Sequence, residues 1–204
     1  MNSDTNQVID GLILAGGRGR RMGGVDKALI TLANRPFLAH VIARLVPQVS
    51  RIWISGHDNQ AQLQPWSEGW SIVTDRRAGH LGPLAGIEAG MMATGAAWLL
   101  TVAVDMPLLP VDLACRLYPS AQRTGLPVIA AWQGHLHPTV ALWPTALRSW
   151  VSQELDQHHL ALGRCLTSIS HRVVDFYHEK DQHDPFVNLN TMEDMVQVAP
   201  LFGL

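Results

Sequence analysis

The sequence predicts an α/β fold, a single domain built on a mixed, largely parallel sheet that is flanked by helices. Short apolar runs rich in β-branched residues alternate with segments of helical length, a pattern typical of parallel sheets covered on both faces. At 204 residues the chain has the size of one domain, and no linker, repeat or low-complexity segment divides it. A polar residue or a glycine stands at the end of each of the first four predicted strands, which indicates one common rim for a ligand.

The strands are predicted from their apolar, β-branched composition and from the turn residues that bound them. The segment 98–105, WLLTVAVD, gives the strongest strand signal in the chain. The segments 126–132 and 137–143 are expected to be two strands joined around Gly134, and the second is the candidate antiparallel strand of the sheet. The remaining predicted strands are residues 8–15, 51–55, 70–75 and 172–176.

Helices are predicted between these strands, where apolar residues recur at helical spacing. In the segment 37–46 the apolar residues fall on one helical face, and Pro47 ends the helix. The segment 110–122 carries proline in its first turn, and the segment 145–169 is expected to be helical with a break near 156–159. Two further helices are predicted at 82–93 and 191–198.

Charge and composition exclude several classes of protein. A formal net charge of −2 and a pI near 6.5 provide no global basic field, so bulk nucleic-acid binding is not expected. No apolar run reaches the roughly 18 residues of a membrane helix, and the N-terminus lacks the basic start and apolar core of a secretion signal. Cys115 and Cys165 lack a metal-type or redox-type spacing, so we expect a cytoplasmic protein with reduced thiols and no membrane contact.

A stretch rich in glycine and arginine, LILAGGRGRRMGGVDKAL, occupies residues 12–29. Its five glycines and three arginines are not favoured by folding alone, and they suit an anionic ligand that approaches the backbone closely. The stretch is not a dinucleotide-binding fingerprint, because Met22 stands where the third glycine is required. It is not a P-loop, because Val25 and Asp26 follow Gly24 in place of lysine and a hydroxyl residue.

The stretch resembles the N-terminal signature of nucleotidyltransferases, and most closely that of the molybdenum cofactor guanylyltransferases. Further motifs occur in the family's order and approximate spacing and extend the resemblance over residues 8–196; they read VTDRRAGHLGPLAGI, VAVDMPLLP, HPTVAL and FVNLNT. The resemblance implies a Rossmann-like nucleotidyltransferase fold. It also implies transfer of GMP from GTP to the terminal phosphate of molybdenum-loaded molybdopterin, with release of pyrophosphate and with Mg²⁺, or alternatively Mn²⁺, as the cofactor.

The resemblance assigns the nucleotide site to residues at the ends of the predicted strands. Lys27 is expected to supply a point charge to the phosphates, and Arg21 a planar guanidinium able to bind two oxygens. Ser55 stands where the family pattern has asparagine, and the alternative role of Asp75 is a salt bridge to either of the two arginines that follow it. The expected nucleotide-binding residues are Leu14, Ala15, Gly16, Gly17, Lys27, Ser55, Asp75 and Asp105.

Asp105 is the expected metal ligand. It ends an apolar strand before a proline turn, and a carboxylate at that place can bind Mg²⁺ that also bridges substrate phosphates. The alternative is an aspartate that caps the turn before the next helix. The family's metal ligand corresponds to this residue, and Lys27, Arg21 and Asp105 are the expected catalytic residues.

The single domain, residues 1–204, is expected to bind the nucleotide with its N-terminal half and the pterin with its C-terminal half. The resemblance assigns pterin contacts to Asn188 and Asn190, with Arg21 and Gly24 reaching across from the glycine-rich stretch. His137 is expected to be structural or substrate-positioning, because an attacking phosphate is already ionised near neutral pH and needs no general base.

Other functions fit parts of the same pattern. Cytidylyl transfer to the pterin, or nucleotidyl transfer to a sugar or polyol phosphate, uses the same loop and metal aspartate, so the choice of nucleotide distinguishes these reactions. A non-catalytic carrier of the pterin is the alternative of a different class, and it predicts cofactor binding without pyrophosphate release. Delivery of an unstable cofactor also predicts transient contacts with the enzymes that supply and receive it.

Overall fold

A computed structural model of the chain describes residues 8–16, 18–19, 25–56, 60–67, 69–77, 79, 81–179 and 183–203. The strands formed by these residues are, in chain order, β1 (Ile9–Leu14), β2 (Arg18–Gly19), β3 (Val25–Asp26), β4 (Thr31–Leu32), β5 (Arg35–Pro36), β6 (Ile52–Gly56), β7 (Ser71–Thr74), β8 (Trp98–Ala103), β9 (Val128–Trp132), β10 (His135–Pro144) and β11 (Arg172–Asp175). The α-helices are α1 (Phe37–Leu45), α2 (Gln60–Leu63), α3 (Pro83–Ala93), α4 (Leu113–Thr124), α5 (Arg148–Asp156), α6 (Leu162–Ser168) and α7 (Met192–Val198).

Within the described ranges one sheet of seven strands runs in the order β11-β9-β10-β8-β1-β6-β7. Strand β1 lies in the interior of this sheet and pairs in parallel with β6 and β8, while β7 and β11 add in parallel to β6 and β9. Strand β10 is antiparallel to both of its neighbours. The predicted mixed, largely parallel sheet is therefore confirmed, together with its antiparallel strand.

A tight turn explains why β10 runs against the rest of the sheet. Trp132 of β9 pairs with His135 of β10, so only two residues connect the strands. These residues, Gln133 and Gly134, both have positive φ angles, of 48° and 77°. Such a turn matches the twist of a two-residue hairpin and forces antiparallel pairing, as expected from the glycine at this place. The register then shifts between His137 and Ala141, which interrupts the strand's regular alternation.

The sheet separates two apolar cores. Successive residues of β1 point to opposite faces, so Ile9 and Ile13 enter one core while Leu12 enters the other. Helices α1 and α4 cover the first face with their apolar stripes. Helices α3, α5 and α6 cover the second face. Because both faces are covered, the central strands read as nearly continuous apolar runs.

A smaller third cluster fixes the C-terminal segment. Phe37 at the start of α1 packs with Leu189 and Val198, which brings the chain around 186–190 back across the sheet. Helix α7 begins with a capping box, in which Thr191 and Asp194 exchange hydrogen bonds between side chain and backbone. This predicted helix is therefore confirmed.

The other helix predictions differ from the structure mainly at their ends. The break expected near 156–159 is confirmed, since α5 ends at Asp156 and α6 begins at Leu162. The start predicted at residue 110 is wrong, and α4 begins at Leu113. Gln48 explains the difference, because its Nε2 donates to the Pro110 carbonyl at 2.9 Å and holds that residue in the preceding turn. In the part of the chain that is described, no helix combines the length and the apolar character needed to span a bilayer.

Candidate active site

A cavity of about 310 Å³ opens at the carboxyl ends of the parallel strands. This is where α/β sheets bind their ligands, because the loops leaving neighbouring strands diverge there. The cavity is lined by Leu14, Gly16, Lys27, Ser55, Asp75, Gly82, Pro83, Ala103, Val104, Asp105, Thr139 and Asn188. Most of the described residues that the sequence assigned to a nucleotide site therefore lie together.

The floor of the cavity is the backbone at the end of β1. The Ala15 N–H donates to the Ser55 carbonyl at 3.0 Å, and the Val104 N–H donates to the Leu14 carbonyl at 3.2 Å. Ala15 is fully buried beneath the floor, whereas Gly16 is exposed at the point where the chain leaves the sheet. These bonds fix the start of the glycine-rich stretch between two neighbouring strands.

Lys27 stands at the edge of this floor, at the start of a 3₁₀ helix that spans Lys27–Leu29. Asp26 caps this helix, because its Oδ1 accepts a hydrogen bond from the Ala28 N–H at 3.0 Å. The Lys27 Nζ donates to Asp105 Oδ2 at 2.7 Å and to Asn190 Oδ1 at 2.5 Å. Its side chain is 21% exposed, so the ammonium group remains accessible from the cavity.

Asp105 is only 5% exposed and is held from three sides. Its Oδ2 accepts from Lys27, its Oδ1 accepts from Asn188 Nδ2 at 3.1 Å, and its backbone carbonyl accepts from the Leu189 N–H at 2.9 Å. The buried carboxylate is thus compensated by one cation and one amide. None of these three contacts caps the turn that follows Asp105, which is the alternative role that the sequence offered.

The Asn188 and Asn190 side chains meet the residues expected to bind the nucleotide. Asn188 contacts Asp105, Asn190 contacts Lys27, and the Asn190 Nδ2 donates to the Asn188 carbonyl at 3.3 Å. The sequence separation between Lys27 and Asn190 is 163 residues, so this arrangement depends on the fold rather than on a local motif. Their expected role toward the pterin stays a prediction.

One wall of the cavity is the N-terminal part of α3. Gly82 precedes the helix with a φ of 75°, and Gly82 and Pro83 both line the cavity. A Cβ at Gly86 would lie 2.4 Å from Ser55 Oγ and 3.1 Å from Ser55 Cβ, so the helix packs on β6 at a distance that only glycine permits. Ser55 is buried under this contact and still reaches the cavity.

Asp75 lines the cavity from the end of β7. The sequence offered a salt bridge to a following arginine as its alternative role. Of those arginines, Arg77 donates to Glu88 and Asp156 instead, at distances between 2.5 and 3.3 Å. This cluster was not predicted from the sequence. The signal that could have revealed it is a glutamate, Glu88, inside the apolar segment GPLAGIEAGMMA.

His137 lies behind the cavity, while Thr139 of the same strand lines it. The imidazole stacks at a tilt on Phe186, with ring centroids 5.0 Å apart, and its Nε2 is 3.5 Å from Asp184 Oδ2. Burial lowers the pKa of His137, the nearby His135 lowers it further, and Asp184 opposes this shift. A neutral, packed imidazole agrees with the structural role expected for it.

The remaining predicted site residues lie outside the described part of the chain. These are Gly17, Arg21 and Gly24, so their roles stay predictions. Within the described residues no group of three or more histidine, cysteine or acidic side chains is arranged to hold a metal ion. The role of Asp105 as a metal ligand stays a prediction, and a single carboxylate suits an ion that takes its other ligands from water and substrate phosphates.

Comparisons with known proteins agree with this fold and site. The family model described as the MobA-like NTP transferase domain matches residues 11–173. A molybdenum cofactor guanylyltransferase of Bradyrhizobium sp. (strain ORS 278) is 36% identical, over 100% of this chain and 98% of the relative. Another, of Shewanella halifaxensis (strain HAW-EB4), is 36% identical over 94% of both chains.

Among solved structures, the molybdopterin-guanine dinucleotide biosynthesis protein A of Archaeoglobus fulgidus superposes with a TM-score of 0.79. The superposition covers 95% of this chain and 98% of that protein, at 21% identity, and it confirms the fold. The family model covers most of the chain, and the identity to the curated relatives extends over nearly its whole length. The chain therefore belongs to the MobA-like NTP transferase family and is a nucleotidyltransferase related to the molybdenum cofactor guanylyltransferases.

Proposed function

We propose that the protein transfers GMP from GTP to the terminal phosphate of molybdenum-loaded molybdopterin. The observation that carries the proposal is the contact of Lys27 with Asp105 and Asn190 inside one cavity. This contact joins a cation from the glycine-rich stretch, a carboxylate from the central sheet and an amide from the C-terminal half. The names of the full-length relatives support guanine as the base and the molybdenum cofactor as the acceptor.

The nucleotide occupies the N-terminal half of the site. The backbone at Leu14 and Gly16 faces the phosphates, and Lys27 offsets the negative charge that they bring. An incoming triphosphate competes with Asp105 for the ammonium group of Lys27, because the Lys27 Nζ lies 2.7 Å from Asp105 Oδ2. Asp75 and Ser55 line the side of the cavity assigned to the nucleoside.

The metal is proposed to be Mg²⁺, with Mn²⁺ as an alternative. The residues fit such an ion, because Asp105 presents hard carboxylate oxygens beside the expected phosphates and Asn188 fixes one of them. When bound, the ion neutralises charge on the triphosphate and so favours displacement at the α-phosphorus. The protein's own part is to orient Asp105 through Lys27, Asn188 and the Leu189 N–H.

The acceptor occupies the C-terminal half. Its phosphate oxygen forms a new bond to the α-phosphorus of GTP, the bond to the β-phosphate oxygen breaks, and pyrophosphate leaves. Asn188 and Asn190, with Arg21 and Gly24, orient this acceptor. A phosphate oxygen is already ionised at neutral pH, so the site needs no base to deprotonate it. This agrees with a packed His137 of lowered pKa.

Transient contacts with the enzymes that supply and receive the cofactor are part of the proposal. An unstable cofactor is protected when it passes directly from one protein to the next. Such contacts are short-lived, because they end once the cofactor has been transferred. Crosslinking of the cofactor-loaded protein to a receiving molybdoenzyme tests this directly. Absence of any crosslinked or co-purified pair with intact cofactor would contradict it.

Pyrophosphate release with each of the four ribonucleoside triphosphates tests the function. The assay contains molybdenum-loaded molybdopterin and Mg²⁺, and it compares the wild type with Asp105→Asn. Asp112→Asn is the matched control, because Asp112 is exposed before α4 and makes no side-chain cap. We expect release with GTP alone, and a loss of about 10²- to 10³-fold in Asp105→Asn only. Release with CTP would show that the transferred nucleotide carries cytosine rather than guanine. Tight pterin binding without release of pyrophosphate would indicate a non-catalytic carrier of the pterin.

A further inference from the structure

A second cluster of charges lies beside the cavity and has no part in the reaction proposed above. Arg77 follows Asp75 by two positions, and its guanidinium donates to both carboxylate oxygens of Glu88 at 3.0–3.3 Å. It also donates to Asp156 Oδ1 at 2.5 Å and to the Ser152 carbonyl at 3.1 Å. The Ser152 hydroxyl donates to Glu88 as well. One guanidinium therefore ties the loop after β7 to both α3 and α5.

The cluster is charged although much of it is buried. Glu88 is only 4% exposed, and the Arg77 side chain is 26% exposed. Burial alone would raise the pKa of Glu88, but hydrogen bonds from Arg77 and Ser152 outweigh it, so the pKa lies below its ordinary value. The hydrogen bonds that Arg77 donates to Glu88 and Asp156 raise the pKa of Arg77. Both partners of the Arg77–Glu88 pair are therefore ionised at neutral pH.

Stability alone is a weak reason for such a pair. Removing charges from water is costly, and replacing a buried ion pair by apolar residues of similar volume is often neutral or stabilising. What an apolar pair does not supply is a fixed direction, because a guanidinium that bonds two carboxylates holds their positions in a defined plane. The function of this fixed orientation of Arg77 therefore follows from where the cluster lies in the fold.

Two of the three elements that Arg77 connects, the loop after β7 and α3, form walls of the cavity. The loop after β7 presents Asp75, and α3 presents Gly82 and Pro83 at its N-terminus. Glu88 lies two residues after Gly86, the glycine through which α3 packs on Ser55. A shift of the loop relative to α3 would therefore change the distance between Asp75 on the loop and Gly82 and Pro83 at the start of α3.

We propose that Arg77 is a positioning residue that holds the Asp75 loop against α3 and α5 and thereby sets the affinity of the cavity for the nucleoside part of the substrate. The inference rests on the proposed function only in that this cavity binds a nucleoside triphosphate. It gives Glu88, Ser152 and Asp156 a shared role as the anchor of Arg77. Phosphate binding by Lys27 and metal binding by Asp105 do not depend on this anchor.

The test measures nucleotide binding and turnover separately in a small set of variants. Arg77→Met removes the guanidinium, and the double variant Arg77→Met/Glu88→Met also removes the buried carboxylate that would be left unpaired. Arg148→Met is the matched control, because Arg148 is an exposed arginine at the start of α5. The Kd is measured by calorimetry with Mg²⁺ and whichever of the four triphosphates the wild type binds most tightly. KM and kcat are then measured for that nucleotide and for the pterin acceptor.

We expect Arg77→Met to raise the Kd and KM for the nucleotide roughly tenfold, with kcat and the KM for the acceptor changed less than about twofold. The double variant recovers the melting temperature of the wild type but keeps the weak nucleotide binding. Arg148→Met binds as the wild type does. An unchanged nucleotide Kd in the double variant, or recovery of Kd together with the melting temperature, would overturn the proposal and assign the cluster to stability. Because Kd is measured without the acceptor, failure of the transfer reaction is a separate result.

Discussion

Lys27 is the residue at which the two halves of the cavity meet. Its ammonium group lies between the Asp105 carboxylate and the Asn190 amide, although these belong to distant parts of the chain. A mobile, compact charge suits this place, because it can turn from the carboxylate to a phosphate without rearrangement of the backbone. The cation of Lys27 therefore lies close to the position where the negative charge of the substrate is expected.

Replacing Lys27 tests this assignment. In Lys27→Met the side chain keeps its length but loses its charge, so we expect kcat/KM for GTP to fall about 10²- to 10³-fold. Steady-state pyrophosphate release measures the change. Arg123→Met is the control, because Arg123 is exposed in the last turn of α4, which carries the chain back from the rim of the cavity. Activity of Lys27→Met within fivefold of that control would exclude Lys27 from the reaction.

Particular residues also show what the sequence could and could not reveal. The position of Asp105 and Lys27 in one cavity was predictable, because Asp105 ends an apolar strand and Lys27 belongs to a glycine-rich loop that suits an anionic ligand. The partners Arg77 and Asp156 were not predictable, because they are separated by 79 residues and nothing local distinguishes them from surface charges. The proximity of Asn188 to Asp105 likewise requires the return of the chain across the sheet, which no short motif encodes.

Among the elements, α3 depends most on the identity of single residues. Its glycines let it approach the sheet closely, at Gly86 over Ser55 and at Gly90 over Leu12. The first contact lies beside the cavity and the second lies in the core. In both contacts a glycine of α3 lies against a side chain of the sheet, but only the contact at Gly86 lies beside the cavity.

A pair of substitutions in α3 separates stability from nucleotide binding. A methyl group at Gly86 would lie 2.4 Å from Ser55 Oγ, and one at Gly90 would lie 2.8 Å from Leu12 Cδ2. We expect Gly86→Ala and Gly90→Ala each to lower the free energy of unfolding by about 1–3 kcal/mol through overpacking. Only Gly86→Ala is expected to weaken nucleotide binding, by roughly tenfold, because it moves the cavity wall. Equal binding by the two variants would contradict the role given to this wall.

Helix α7 anchors the asparagine segment through its first turn. Asp194 Oδ2 accepts hydrogen bonds from the Asn190 and Thr191 N–H groups, each at 2.8 Å. The Asn190 N–H chiefly lowers the pKa of Asp194, followed by Thr191, while burial opposes the shift. The folded chain therefore binds fewer protons at this group than the unfolded chain. The stabilisation is present at neutral pH and is lost as the pH falls below the ordinary aspartate value of about 4.

Denaturant unfolding of Asp194→Ala checks this cap. At pH 7 we expect a loss of about 1 kcal/mol in the free energy of unfolding relative to the wild type, as for other helix caps. The difference should shrink as the pH falls through 4 and below. Glu193→Ala, an exposed acidic neighbour in the same turn, should show almost no loss at either pH. A pH-independent difference would mean that packing, rather than the ionised cap, accounts for the effect.

The elements themselves followed from the sequence more closely than their ends did. Strands β1, β6, β8 and β9 were recognisable because both of their faces are buried, which makes the whole run apolar. The short pairs β2–β3 and β4–β5 were not predicted, because two-residue strands carry no periodic pattern. The start of α4 was misplaced, because the hydrogen bond from Gln48 to Pro110 is a tertiary contact that overrides the preference of proline for a first turn.

For the whole molecule, the fold explains why both substrates can be served by one domain. The parallel strands deliver the glycine-rich stretch, Ser55, Asp75 and Asp105 to one rim, and α7 and the segment before it return the C-terminal half to the same rim. The asparagines of that segment then contact Asp105 and Lys27 directly. A reaction between two bound substrates needs this convergence, because the attacking and leaving groups must lie on opposite sides of one phosphorus.

The proposed transfer of GMP is tested most directly by tracing the α-phosphate and the γ-phosphate of GTP separately. The protein is incubated with molybdenum-loaded molybdopterin, Mg²⁺ and GTP labelled either at the α-phosphate or at the γ-phosphate, and the products are separated. The account predicts that the α-label enters a guanine dinucleotide form of the pterin and the γ-label enters pyrophosphate, in equal amounts. Label from the γ-position in the pterin, or α-label recovered only in free GMP, would contradict transfer of a GMP group by this cavity.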